Sequence, residues 1–249
     1  MIVRKSAAEI ELMREAGRVS ARALRLVGEA VRPGITTEEL DELAEAAIRG
    51  LGGVPAFKGY HGFPKTLCTS VNSQVVHGIP SDTVVLVDGD VLSVDVGAIV
   101  GGYYGDNAAT FPVGDISDAA RSLLDATKAS LAAGIEQCVA GKRLFDIGFA
   151  VQTVAEGAGF SVVREYVGHG IGRNMHEDPN VPNYGVAGKG PRLEDGMVLA
   201  IEPMVNLGSA DVESLPDGWT VVTQDGSLSA HFEHTVAITA DGPLILTAE

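Results

Sequence analysis

The sequence contains no apolar run near the roughly 18–20 residues that a membrane helix requires. Its opening stretch, MIVRKSAAEIELMREAG, turns acidic and amphipathic at once and has no apolar signal-peptide core, so a cytoplasmic location is expected. Cysteine is scarce: Cys68 and Cys138 lie far apart without a CxxC pairing, and two reduced thiols are expected. Basic residues are outnumbered, 18 Lys and Arg against 33 Asp and Glu, for a net charge of −15. Counterion release needs clustered cations, so no specific nucleic-acid partner is expected, and any ribosome contact would be a small local patch. Rival catalytic signatures are missing too. There is no HExxH, no GxSxG and no Walker loop, and Gly168-x-Gly170-x-Gly172 lacks the dinucleotide spacing. These gaps argue against serine and nucleotide chemistry.

What remains is a chain of 249 residues, 45% hydrophobic and 20% charged with 31 Gly, long enough to bury a substantial core. Ser6 and Glu9 have capping-box spacing, and Ile10, Met13, Gly17, Ser20, Leu24, Val27 and Val31 recur at intervals of three and four, predicting a helix over 6–31. Arg32-Pro33-Gly34 stops it. Thr36 with Glu39 starts a second helix that carries Leu40, Leu43, Ala47 and Ile48 to about Gly50. Strand-like runs follow at 66–71, 84–87, 91–99 and 103–112. The order then repeats: helical stretches from Ser117 to about Val139 and over 144–157, then strand-like runs at 161–167, 197–205, 219–224 and 232–239.

Sliding the sequence on itself by 107 residues lays LVDGDVLSVDVG (86–97) over LEDGMVLAIEPM (193–204), with Asp95 on Glu202. The same offset puts Gly34, Gly50 and Gly52 over Gly141, Gly157 and Gly159. A separate echo, His77-Gly78-Ile79 and His169-Gly170-Ile171, has an offset of 92. Together these point to an internal duplication with halves over roughly 6–112 and 117–240. Asp95 and Glu202 would then be equivalent about a pseudo-twofold axis. Neither half carries a complete site, so one catalytic domain over 1–249 is expected.

Asp95 lies inside the apolar run VLSVDVGAI, and Asp106 follows the turn region VGGYYG. A two-residue loop at 100–101 would place them directly opposite, and one at 101–102 would make them diagonal neighbours; both registers put them on one face. Two carboxylates that close would repel unless a cation sat between them. Glu202 in MVLAIEPMV and Glu233 in SAHFEHTVAI occupy similar apolar runs. His169, in VGHGIG, adds a nitrogen donor. Such a set suits a pair of divalent ions such as Mn, Fe, Co or Zn better than thiolates would. Of the other histidines, His61, His77 and His176 fall in loop-like segments, and alternation puts His231 on the Glu233 face and His234 on the other.

The ordered set Asp95, Asp106, His169, Glu202 and Glu233 resembles the five metal ligands of the type I methionine aminopeptidases in their minimal bacterial form. So do the segments GYHGFPKTLCTSVNSQVVHGIP (59–80), VGHGIGRNMHEDPNVPNY (167–184), GMVLAIEPM (196–204) and FEHTVAIT (232–239). The resemblance covers nearly the whole chain. It implies an α+β pita-bread fold: a curved, mostly antiparallel sheet covered by helices, built from two pseudo-twofold halves. It further implies a monomeric hydrolase that removes the N-terminal methionine from nascent polypeptides, favouring a small second residue, with two divalent ions (Co, Mn, Fe, Zn or Ni). Asp95 would chelate one ion, Asp106 and Glu233 would bridge both, and His169 with Glu202 would complete the other. Glu202 would be proton acceptor and shuttle, His176 would donate to the scissile carbonyl, and His77 would hold the backbone of the second residue. Tyr60, Phe63, Cys68, Met175 and Trp219 would line the methionine pocket. Apolar pockets discriminate by only about 1–3 kcal/mol per methylene, so leakage to norleucine-like side chains is expected.

Three positions depart from the pattern. Phe57 and Met175 stand where a Cys and a Phe are usual, and His231 replaces a Gln; these bear on rate, fine specificity and the surroundings of the metal. Two other readings fit parts of the pattern. One is a prolidase-like or Xaa-Pro peptidase on the same fold, and the other is a non-catalytic binding module that lost its ligands.

Overall fold

The computed structural model describes residues 1–248. Helix α1 (Ala7–Ala30) begins where the Ser6 hydroxyl accepts from the Glu9 N–H and the Glu9 carboxylate reaches back to the Ser6 N–H. The same reciprocal pair, Thr36 and Glu39, opens α2 (Thr37–Gly50). In the second half Ser117 caps α3 (Asp118–Ile135), and α4 (Leu144–Gly157) is opened by the Asp146 carboxylate, which accepts from the Arg143 N–H at 2.8 Å.

The first-half strands are β1 (Val54–Pro55), β2 (Leu67–Val71), β3 (Gln74–Val76), β4 (Val91–Val100) and β5 (Tyr103–Pro112). The second half adds β6 (Ser161–Val162), β7 (Gly168–Gly170), β8 (Glu177–Val181), β9 (Val198–Ile201) and β10 (Met204–Asn206). After them come β11 (Val212–Ser214), β12 (Val221–Thr223), β13 (Ser229–His231), β14 (Glu233–Thr239) and β15 (Gly242–Ile245). Nine strands form one sheet in the order β1-β4-β5-β14-β9-β7-β8, with β2 also on β4 and β15 on β14. Every pairing in it is antiparallel. The remaining strands form two small sheets, β13-β10-β6 and β11-β12-β3.

The centre of the large sheet, β4-β5-β14-β9, takes two strands from each half. A twofold operation between β5 and β14 exchanges β4 with β9, and with them Asp95 and Glu202, as the 107-residue offset requires. The shorter echo has no such counterpart. His169 lies in β7, bonded to β9, whereas His77 follows β3, which pairs with β12.

The helices lie against one face of this sheet. Leu92, Val94, Val96 and Ala98 of β4 pack with Val19, Val27, Leu40 and Ile48 of α1 and α2. Leu199, Ile201, Val236 and Ile238 pack with Leu131, Ile135 and Ile147 of α3 and α4. Each such Leu, Val or Ile stabilises the register by roughly 1.5–3 kcal/mol, and a one-residue slip of β4 against the helices would turn Asp95 into the helix layer. Alternation therefore sends Asp95, Asp106, Ala108, Ala200 and Glu233 to the opposite face.

Some expected elements differ. Residues 84–87 form no strand: Val84, Val85 and Val87 are 37%, 50% and 57% exposed. The backbone there is bonded to the lead-in of α2 (Gly34 N–H to Leu86 O, Leu86 N–H to Ile35 O, Thr37 N–H to Val84 O), so no strand edge is free for it. The 197–205 run divides at Pro203, which has no N–H for a ladder and sends β10 into a separate sheet. Only 161–162 of the 161–167 run is strand, and α3 stops at Ile135 rather than Val139. Strands β8 (EDPNV) and β15 (GPLI) carry no apolar alternation to reveal them.

Candidate metal centre and its pocket

Ala108 on β5 is the Cα partner of Asp95 on β4 and of Glu233 on β14, so the three project side by side from the face away from the helices. Asp106, two residues back along β5, points the same way. The β4–β5 hairpin turns through Gly101 and Gly102, at φ 59° and 79°, the type I′ geometry that only two such residues adopt freely. That turn pairs Asp106 with Gly97, making Asp95 and Asp106 diagonal neighbours. On the other side Ala200 pairs with both Thr235 and His169. Glu202 follows on the same face, at the joint where Pro203 breaks the ladder. Thus all five sequence-predicted ligand residues converge on one surface, drawn from β4, β5, β7, β14 and the end of β9.

These residues fit a divalent metal. One donor atom each from Asp106, His169 and Glu233 lie within 4.8 Å of one another. His169 Nδ1 is 2.9 Å from the Gly170 carbonyl oxygen, which places its proton there and leaves the Nε2 lone pair facing inward. That lone pair meets Glu202 Oε1 at 3.5 Å and Asp106 Oδ2 at 3.8 Å, acceptors set against acceptors. Asp95 Oδ1, Asp106 Oδ1 and Glu233 Oε1 are buried without hydrogen-bond partners. Burial pushes the Asp95 carboxyl up to about 7. Burial and the neighbouring carboxylates push Asp106, Glu202 and Glu233 well above the usual range. Burial also holds His169 down at about 4, so its imidazole is neutral and free to ligate. Positive charge is what this set lacks, and oxygen ligands with one imidazole suit hard or borderline divalent ions.

Above the carboxylates opens a cavity of about 240 Å³. Its apolar wall is Phe57, Phe63, Cys68 and Met175, all buried, with Tyr60 and Trp219 at the edge. Cys68 is the β2 partner of Asp95, and Phe63 meets Trp219 edge to face at 5.1 Å. His77 and His176 also line the cavity. His77 has left-handed backbone, φ 61°, and packs edge-on against Tyr166. His176 lies in the 171–177 connection, its ring 4.3 Å from that of His169, and its Nδ1 is 2.8 Å from the Tyr60 hydroxyl. Every residue expected to touch substrate therefore borders this one cavity.

Two further participants leave almost no mark in the sequence. His61 lines the cavity beside Tyr60, but nothing separates it from an ordinary loop histidine except its place next to a pocket tyrosine. Ala108 has no reactive group at all, and its importance is purely positional. His231 stands behind the carboxylates: its Nε2 is buried, unpartnered, and 3.8 Å from Glu202 Oε2. His234 points away and bonds Thr247 Oγ1 at 2.9 Å. Cys68 and Cys138 are both free.

The whole chain has relatives among known proteins. A sequence model of metallopeptidase family M24 matches residues 11–240. A methionine aminopeptidase of Clostridium acetobutylicum is 54% identical over 247 residues, 99% of each chain. Methionine aminopeptidase 1 of Mycobacterium tuberculosis is 51% identical over 253 residues, 99% of this chain and 95% of that one. The crystal structure of a methionine aminopeptidase from Thermotoga maritima superposes with a TM-score of 0.99 at 47% identity, covering 100% of both chains. A prolidase from Pyrococcus furiosus, 22% identical with a TM-score of 0.79 over 99% of this chain and 66% of that one, shares the fold alone.

Proposed function

The chain belongs to metallopeptidase family M24 and is a metal-dependent hydrolase that removes N-terminal methionine from polypeptides, and on that premise we propose which side chains do what. The observation that carries the reading is the convergence of four carboxylates and one imidazole beneath an apolar cavity. Asp95, Asp106, His169, Glu202 and Glu233 would hold two divalent ions, with Asp106 and Glu233 shared between them. When bound, the ions supply an acidified water and polarise the scissile carbonyl.

The chain's own groups do the rest. Glu202, at the end of β9 with its side chain 15% exposed, takes the proton of the attacking water and passes it to the leaving amine. His176 donates to the carbonyl oxygen as charge develops on it. The Tyr60 hydroxyl makes that possible. Desolvation keeps the Tyr60 phenol protonated and the His176 ring neutral, so Tyr60 O–H donates to Nδ1 and the ring proton stays on Nε2. His77, held neutral by burial at about 4, orients the backbone of the second residue. Phe57, Phe63, Cys68, Met175 and Trp219 exclude water around an unbranched thioether, and crowding beyond them favours a small second residue. The substrate's free amino group lies by Asp95, which confines cleavage to the first bond.

Residues 1–249 act as one catalytic domain, since the ligands come from both halves of one sheet. In this reading the chain is a monomer in the cytoplasm, working on emerging chains, and its two free cysteines support a reducing compartment. Among the described residues no helix is long and apolar enough to cross a membrane. At a net charge of −15, contact with a ribosome is confined to a local patch.

The test is methionine release from Met-Ala-Ser, with Ala-Pro-Ala as control. Turnover of the first peptide should vanish under chelation and return with one divalent ion. Cleavage of Ala-Pro-Ala in preference to Met-Ala-Ser would refute the reading.

A further inference from the structure

The strand connection that carries Met175 and His176 is held by a residue far away in sequence. Lys5 precedes α1, yet its side chain is only 3% exposed and its Nζ lies 2.8 Å from Glu177 Oε2, itself on a side chain 10% exposed. The lysine also donates to the Val3 carbonyl, and its backbone N–H bonds the Gly196 carbonyl, the turn just before β9. Glu177 is the first residue of β8 and the register partner of Gly170 on β7, so it closes the loop that begins after Gly170. Its second oxygen, Oε1, accepts the Asn174 N–H at 3.2 Å. One carboxylate thus bridges the cation at Lys5 and the middle of the loop, and Met175 and His176 hang between its two attachment points.

The pair packs directly against the loop backbone at Gly172. A side chain at Gly172 would displace the pair, because a Cβ there would stand 2.6 Å from Lys5 Cε and 2.7 Å from Glu177 Oε1. Other ties hold the loop as well: Ile171 N–H donates to the Val198 carbonyl, Tyr104 N–H donates to the Gly172 carbonyl, the Tyr60 hydroxyl meets His176, and the Arg173 guanidinium lies over the Tyr103 ring, 4.4 Å from its centre. A buried ion pair adds little net stability over an apolar pair, because desolvation offsets the attraction, but it holds its two partners in one geometry. Here that geometry is the wall of the cavity.

We propose that Lys5 and Glu177 are positioning residues for the substrate pocket, their buried ion pair latching the 171–177 loop so that Met175 and His176 face the metal centre. Neither touches substrate; both act through the loop. The inference rests on the assignment of Met175 and His176 to the pocket.

The experiment uses the full chain with saturating divalent ion and compares wild type with Lys5→Met, Glu177→Gln and Lys5→Arg. Hydrogen exchange of the 171–177 amides and steady-state cleavage of Met-Ala-Ser are measured together. Lys5→Met and Glu177→Gln should each speed exchange in 171–177 about tenfold, leave the β4–β5 amides unchanged, and lower kcat/KM roughly tenfold. Lys5→Arg, which keeps the charge in a larger head group, should fall between wild type and Lys5→Met on both measures. If the first two variants lose thermal stability but keep exchange protection in 171–177 and wild-type kcat/KM, the pair merely staples the segment before α1 and the proposal fails. Should Lys5→Met not fold, the near-isosteric Glu177→Gln decides between the same two outcomes. Met175→Ala and His176→Ala serve as controls: unchanged turnover in both would refute the pocket assignment, while the exchange measurement still reports on the latch.

Discussion

At the scale of single residues, the centre depends on groups that are costly to keep where they are. Asp106 and Glu233 are 3% and 2% exposed, and each leaves a buried oxygen without a hydrogen bond. Replacing either by Ala is expected to abolish metal loading and lower kcat by roughly 10³-fold, measured by metal analysis alongside turnover. Full activity after chelation and reloading would rule out shared ligation. His176→Ala should lower kcat by about 10²-fold while the folded protein still takes up its metal; metal lost in step with activity would make His176 a ligand instead. Tyr60→Phe isolates the orienting hydrogen bond. It should cost about tenfold in kcat and move the His176 side-chain nitrogen signals toward a mixture of tautomers. Unchanged nitrogen shifts would show that Tyr60 serves only as pocket wall.

At the scale of elements, small interruptions put the acids in place. The Gly101-Gly102 turn fixes which residues of β4 and β5 face each other, pairing Asp106 with Gly97 and so setting Asp95 and Asp106 as diagonal neighbours and not directly opposite. Gly101→Asn tolerates positive φ and should retain stability and metal affinity. Gly101→Val does not; it is expected to cost about 1–3 kcal/mol by thermal unfolding and to weaken metal binding measured by titration calorimetry. Equal metal affinity in the two variants would mean that the turn does not govern the centre. This register is open in the sequence, because the Gly-Gly pair allows two loop placements and both put the carboxylates on one face. The 84–87 run departs from its expected strand for a related reason. Valine's β preference is realised only beside a free strand edge, and here the backbone groups are taken by residues 34–37.

At the scale of the whole molecule, folding and metal binding are linked through the buried carboxylates. Without metal, the Asp95 carboxyl stands at about 7 in the folded chain against an ordinary 3.8, and Asp106, Glu202 and Glu233 are raised too. Below about pH 6.5 five buried histidines held neutral by desolvation offset this, but above it they are neutral in both states, the metal-free folded chain holds more protons than the unfolded one, and its stability declines as pH rises through about 7. Chelated protein should melt at a lower temperature at pH ~8 than at ~6, and added divalent ion should raise Tm more at the higher pH. Equal increments at both values would mean the four acids do not share one buried centre. The sequence alone determined the helices, through their capping boxes and three-four spacing, and singled out Asp95, Asp106, Glu202 and Glu233 as acids set in or beside apolar runs, two of them related by the internal repeat. Those signals are local, or recur at a fixed offset, and so survive in one dimension. Only the tertiary structure decided that Asp95, Ala108 and Glu233 stand abreast, that Tyr60 meets His176, and that Lys5 reaches Glu177. Such contacts join residues from 13 to 172 positions apart, and they arise from strand order and register, which no local pattern records.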